Sequence, residues 1–161
     1  RLLGFDEAAC EAAITGPEWP ARLQRLRTGP LVEAAGPRAE LWLDGGHNPA
    51  AGEALAVHVR EWRDRPLFLI FGGLKNKDAE GILSPLAPYA SRLMTVTIPG
   101  QESSLVAEET ARIGMAVGLM SEPADSVEDA LTRLAGHFQG PARVLICGSL
   151  YLAGAVLAAN E

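Results

Sequence analysis

The sequence has no long apolar run, few cysteines and no excess of basic residues, and each shortage removes a class of protein. No apolar stretch approaches the roughly 18 residues needed to span a bilayer, and no secretory signal is visible. A soluble, cytoplasmic protein is therefore expected. Cys10 and Cys147 are the two cysteines, too few for a disulfide framework or a cysteine-rich zinc site. Fourteen Lys plus Arg against twenty Asp plus Glu give a net charge of -6, which argues against a domain that grips nucleic acid or an anionic membrane. The three histidines, His47, His58 and His137, have none of the close spacings that zinc requires, so no protein-held transition metal is expected. Neither a Walker A loop nor the dinucleotide fingerprint Gly-x-Gly-x-x-Gly occurs. Cys147-Gly148-Ser149-Leu150-Tyr151 departs from the Gly-x-Ser-x-Gly elbow, which disfavours a serine hydrolase.

What is present suffices for a real core. The chain has 161 residues, 48% of them hydrophobic, the size of one ordinary domain. It begins at Arg1 rather than Met, and is read as a piece of a longer protein. An alanine-rich helix is expected over Asp6 to Ile14. Arg22 to Arg27 reads as a short strand, Leu31 to Glu33 as a second, and Glu40 to Asp44 as the strand to which Gly36-Pro37 returns the chain. Pro49 opens a helix reaching about Asp64, capped by Asn48, with Ala51, Leu55, Val59 and Trp62 on one apolar stripe.

Leu67 to Phe71 is apolar throughout, the pattern of a strand buried on both faces. A helix over Ala79 to Leu86, a strand over Arg92 to Ile98 and a helix capped by Ser103 or Ser104 follow, and Gly118 closes that helix. Leu119-Met120 reads as a minimal strand. Ser126 to Asp129 has the form of a capping box; Arg143 to Cys147 is the last strand and Leu150 to Ala158 the last helix. Strands alternating with helices predict an α/β fold: a Rossmann-like three-layer sandwich with a mainly parallel sheet, helices on both faces and a hairpin-like N-terminal edge.

This order has a geometric consequence. Asp44 to Asn48, Gly72 to Asp78, Pro99 to Gln101 and Gly148-Ser149 all follow strands, so they gather at one edge of the sheet, where open α/β folds bind ligands. Asp44 could accept from sugar hydroxyls or simply brace the turn. His47 could donate to an anion or bond a carbonyl. Gly72 to Asp78 combines glycines with Lys75 and Lys77 before a helix, an arrangement that can approach a phosphate. Ser149 is either a seat for a carboxylate or an ordinary cap. His58 and His137 read as structural.

Four motifs, Trp19-Pro20-Ala21-Arg22, Leu43-Asp44-Gly45-Gly46-His47-Asn48-Pro49, Gly72 to Asp78 and Gly148-Ser149-Leu150-Tyr151-Leu152-Ala153-Gly154, together resemble the C-terminal domain of the bifunctional dihydrofolate synthase/folylpolyglutamate synthases of the Mur ligase superfamily. The resemblance implies that residues 1–161 are one glutamate-ligase C-terminal domain, lacking the N-terminal P-loop ATPase domain. It implies an ATP-dependent ligase that adds L-glutamate to dihydropteroate or a reduced folate through an acyl phosphate, with ATP and Mg2+ as cofactors and magnesium held mainly by the missing domain.

By the same resemblance, Arg22 reaches nucleotide phosphates, Asp44 holds the ribose with Asn48 nearby, and His47 stands near the reacting groups. Ser149 and Tyr151 help to hold the incoming glutamate, while Lys77 and Asp78 belong to a loop at the site. Ala21 replaces a common Gly, Gly46 a common Ala, and Asn76 the first Asp of a frequent Asp-Lys-Asp. A muramyl-peptide ligase domain and a non-catalytic nucleotide-binding module are the competing readings.

Overall fold

Leu67–Phe71 (β3) is buried at every residue, and the rest of the fold is layered around it. The computed structural model describes residues 21–161; the helix expected over Asp6 to Ile14, and Cys10 within it, lie outside them. The other strands are β1 (Gln24–Leu26), β2 (Ala39–Leu43), β4 (Ala90–Thr95), β5 (Ser121–Pro123) and β6 (Ala142–Cys147). They form one sheet in the order β1-β2-β6-β3-β4-β5. β1 runs antiparallel to β2, and every other pairing is parallel.

The helices are α1 (Pro30–Ala35), α2 (Pro49–Val59), α3 (Ala79–Leu83), α4 (Ala107–Ala116), α5 (Val127–Ala135) and α6 (Leu150–Ala159). Period-two alternation along the strands divides the core. Phe68, Ile70, Val144 and Ile146 pack with Leu31 of α1, Leu131 and Leu134 of α5 and Leu152 and Val156 of α6. Leu69, Phe71, Leu145 and Cys147 pack on the other face with Leu55 of α2, Ile82 and Leu83 of α3 and Leu105. This is the expected three-layer sandwich. Each buried branched or aromatic side chain contributes about 1.5–3 kcal/mol. The helices after β2 and β3 cover one face and the helix after β6 the other, so the chain parts at β6. Such a switch point opens a crevice beyond the strand ends.

Several local expectations need correction. Leu31 to Glu33 is not a strand but part of α1: Pro30 supplies the fixed φ of a first helical turn, and Gly36 (φ 82) ends it with its N–H on the Val32 and Glu33 carbonyls. The N-terminal edge is therefore antiparallel, but joined through a helix rather than a hairpin. α2 ends at Val59 rather than near Asp64, because Trp62 leaves the helix to stack on Trp42, ring centroids 5.1 Å apart. α3 stops at Leu83, ahead of Pro85, which has no N–H with which to continue the helical hydrogen bonds.

Two more corrections concern the β4–β5 region. α4 carries Val106 at its cap position, because the Ser104 hydroxyl instead accepts from the Ile98 N–H at 2.8 Å. Leu119 is drawn to the end of α4 by its bond to the Gly114 carbonyl, so pairing with β4 starts at Ser121 instead of Leu119-Met120. The caps at Asn48, Ser126 and Ser149 form as expected. No helix among the described residues is long and apolar enough to cross a membrane.

At the amino ends of the central strands, Glu40 accepts from Trp42 Nε1 at 2.8 Å and Arg143 Nε at 3.1 Å. Arg65 and Arg25 stand 3.3 and 3.8 Å away, and the Arg143 guanidinium lies over the Trp62 ring. Burial alone would raise the pKa of Glu40, but the Trp42 and Arg143 bonds and the arginine charges outweigh it and hold the carboxyl below its ordinary 4.5. A carboxyl depressed on folding stabilises the fold above its unfolded pKa, and that contribution is lost as pH falls through the folded value. Glu40→Gln should therefore cost about 1–2 kcal/mol at neutral pH. The loss should shrink at acid pH, once the pH has fallen through the folded value of Glu40 and wild type has lost the same charge. Urea unfolding of both proteins at neutral and at acid pH checks this; an equal loss at both would refute it.

Candidate functional site

The loops after β2, β3, β4 and β6 meet as expected. They enclose a cleft of about 120 Å³ lined by His47, Leu74, Asn76, Lys77, Gln101, Ser103, Ser149, Leu150 and Tyr151. No acidic side chain is among these lining residues, in a chain whose net charge is -6. The cleft offers a lysine, an imidazole, amides and hydroxyls, a donor set suited to an anion.

Backbone bonds hold its walls. The loop after β4 clasps the loop after β3 through Lys75 N–H to Ser103 O (2.8 Å) and Leu105 N–H to Gly73 O (2.9 Å). Ser104, buried inside that loop, accepts from Ile98 and donates to the Leu105 carbonyl at 2.8 Å. Gln101 and Ser103 thus stand on a braced turn. Opposite them, Ser149 is 1% exposed, and its Oγ accepts from the Tyr151 N–H at 3.0 Å. That bond caps α6 and leaves the hydroxyl proton available to a ligand beside the helix N-terminus. The Tyr151 side chain is exposed at the rim.

The expected site residues separate into three groups. His47, Lys77, Ser149 and Tyr151 share the cleft; the His47 Nδ1 lies 3.4 Å from the Gly45 carbonyl. Asn48 and Asp78 cap helices, accepting from Ala51 at 2.9 Å and Gly81 at 2.8 Å, and neither lines the cleft. Asp44 and Arg22 lie together at the β1 side: Asp44 is 8% exposed, and Arg22 is exposed next to it.

Burial raises the Asp44 pKa, and bonds from the Gly46 and Leu23 N–H groups and the nearby Arg22 charge only partly oppose it. The Cys147 thiol, buried and near Asp44, is also held well above its ordinary range, which leaves it inert. Leu74, Asn76, Gln101, Ser103 and Leu150 were not singled out as site residues. The placement of Pro99 to Gln101 at the sheet edge was the one signal pointing to Gln101. Asn76, where the resembled pattern has Asp, keeps a negative charge off this wall.

Residues 22–150 match the family model described as the Mur ligase, glutamate ligase domain. The chain belongs to this family. It is 28% identical over 143 residues to a folylpolyglutamate synthase of Lacticaseibacillus casei, covering 89% of this chain and 30% of the relative. Among solved structures, Mycobacterium tuberculosis folylpolyglutamate synthase complexed with ADP and AMPPCP superposes with a TM-score of 0.72 at 27% identity, covering 96% of this chain and 35% of that one. The E. coli FolC structure with DHPP and ADP shares the fold, with a TM-score of 0.71 at 22% identity over 97% of this chain and 34% of its own. The chain thus spans about a third of the relatives it matches.

In this Mur ligase domain Gly148, at φ 119, leads from β6 into the cap. A Cβ there would stand 2.5 Å from the Gly72 carbonyl and 2.6 Å from the Phe71 ring. Gly148→Ala should therefore destabilise the chain by about 2 kcal/mol or more, through strain and overpacking. A thermal melt within a degree of wild type would refute this.

Proposed function

We propose that this domain is the C-terminal lobe of a cytoplasmic, ATP-dependent carbon–nitrogen ligase that adds L-glutamate to dihydropteroate, tetrahydrofolate or both. The observation that carries the proposal is the acid-free cleft, in which His47, Lys77 and Ser149 converge from three loops. Its supports are the family match over residues 22–150 and the likeness to folylpolyglutamate synthases.

ATP, with Mg2+, supplies the phosphoryl group that converts the folate carboxylate to an acyl phosphate. The proposal assigns magnesium to the N-terminal ATPase domain of the same protein, as the resemblance to folylpolyglutamate synthases implies. This chain's residues position the second reactant. Ser149 and the first N–H groups of α6 hold a glutamate carboxylate, with Tyr151 at the rim. Lys77 offsets charge, and His47 orients the anionic groups beside the reacting carbon. The glutamate amine then forms the C–N bond, phosphate leaves with the bonding pair of its C–O bond, and the amine gives up a proton. Arg22 reaches the nucleotide phosphates as a guanidinium fork does. Asp44 and Asn48 belong to the loop that stands beside the nucleotide, and Asp78 keeps the Lys77 loop in place by capping α3.

Positioning and charge complementarity of this kind are commonly worth about 10²–10³ in rate per donor. In the full-length protein, His47→Ala should lower ATP-driven glutamate addition by about that factor while the melting temperature is kept. The 161-residue chain alone should show no folate-dependent ATP hydrolysis. Release of ADP and phosphate with tetrahydrofolate or dihydropteroate and L-glutamate measures both. Wild-type turnover in the variant removes the role of His47, and no glutamate addition by the full-length wild type removes the proposal.

A further inference from the structure

The backbone on each side of Arg22 is strained. Ala21 has φ 66 and Leu23 φ 44, the two non-glycine residues of positive φ among those described. Such conformations cost about 1–3 kcal/mol each and persist where the surroundings enforce them. Ala21 stands where the resembled motif commonly has Gly, the residue that would adopt this backbone freely. In this chain the turn has to be held from outside.

Four hydrogen bonds hold it, and Asp44 is their hub. Asp44 Oδ2 accepts from the Leu23 N–H at 2.9 Å, and Oδ1 accepts from the Gly46 N–H at 2.7 Å. The Gly45 N–H donates to the Ala21 carbonyl at 2.6 Å, and the Ala21 N–H donates to Gln24 Oε1 at 2.7 Å. One buried carboxylate therefore joins the turn that presents Arg22 to the loop that presents His47. Two acceptor oxygens are required, because the two N–H groups arrive from different segments. A side chain with one oxygen would set a donor against a donor.

We propose that Asp44 is a positioning residue for Arg22: its carboxylate clamps the Ala21–Leu23 turn to the His47 loop, fixing the guanidinium relative to the cleft. The inference rests on the reading of Arg22 as a phosphate ligand and gives Asp44 a role separate from any ribose contact. Burial raises its pKa, and the Gly46 and Leu23 N–H bonds together with the Arg22 charge oppose that rise, so the clamp's own bonds favour the ionised form that it uses.

The test uses the full-length protein with wild type, R22A, D44N and the double variant, each assayed with ATP and with 2′,3′-dideoxy-ATP. D44N keeps the shape of the side chain and removes one acceptor. It should raise KM for ATP roughly tenfold, the scale of one lost hydrogen bond. In the R22A background it should add less than about twofold, because both changes remove the same placement. D44N should also keep the wild-type preference for ATP over the dideoxy nucleotide. Additive effects, or loss of that preference, would overturn the clamp in favour of independent ribose binding.

Amide hydrogen exchange on the 161-residue chain is a second measurement, independent of turnover. D44N should speed exchange at Leu23 or Gly46, and unchanged protection at both refutes the clamp even if the full-length protein proves not to be a ligase. Absence of ligase activity combined with faster exchange would sink the functional reading and leave the clamp standing.

Discussion

The ring of Phe71 sets how the cleft is built. It closes a strand buried on both faces, with 0% exposure, and lies under two loops at once: a Cβ at Gly73 would meet it at 3.0 Å and one at Gly148 at 2.6 Å. The loops after β3 and β6 can approach each other only because both lack a side chain there. Since the central strand ends hold no room for polar groups, hydrogen-bonding chemistry is displaced outward onto the rim. There Lys77, Ser149 and Tyr151 line the cleft. A core constraint thereby decides where function can sit.

Features coded by local chemistry were legible in the sequence. The apolar run of β3, the Asn48, Ser126 and Ser149 caps and the placement of loops at one sheet edge all follow from neighbouring residues alone. Leu31 to Glu33 misled because three residues carry too little period to separate helix from strand, and the decisive bond, Leu31 N–H to Asn160 Oδ1 at 2.9 Å, comes from the far end of the chain. Ser104 looked like a cap for the same reason that it works as a brace: a hydroxyl serves whichever N–H the tertiary fold brings near. The wall made by Gln101 and Ser103 had no signature of its own, because main-chain bonds between two loops build it. Asp44, readable either as a brace or as a ligand acid, braces through both oxygens.

The distribution of charge follows a similar logic. Glu40 is taken up by arginines at the amino ends of the strands, Glu122 and Asp129 by Arg133, and Asp78 by a helix cap. An acidic chain can in this way keep carboxylates away from the cleft lining at the carboxyl ends. Asp44 lies at the β1 side of the cleft, and its oxygens point at backbone N–H groups. Its negative charge still reaches Arg22, whose field lowers the cost of burying it.

A half-site of this design has a definite division of labour under the proposed function. The groups fixed by helix caps and strand ends, Ser149 and His47, are set before any ligand arrives, so ordering them costs nothing at the reaction step. Arg22 and Tyr151 are exposed, and an exposed cation in water contributes little to phosphate binding until solvent is excluded. Closure against the nucleotide-bearing domain would supply that exclusion. It can do so productively only if Arg22 already stands at a fixed distance from His47, since a swinging domain delivers both groups in one motion. A strained turn clamped by a single carboxylate meets that requirement, and a flexible arm would not.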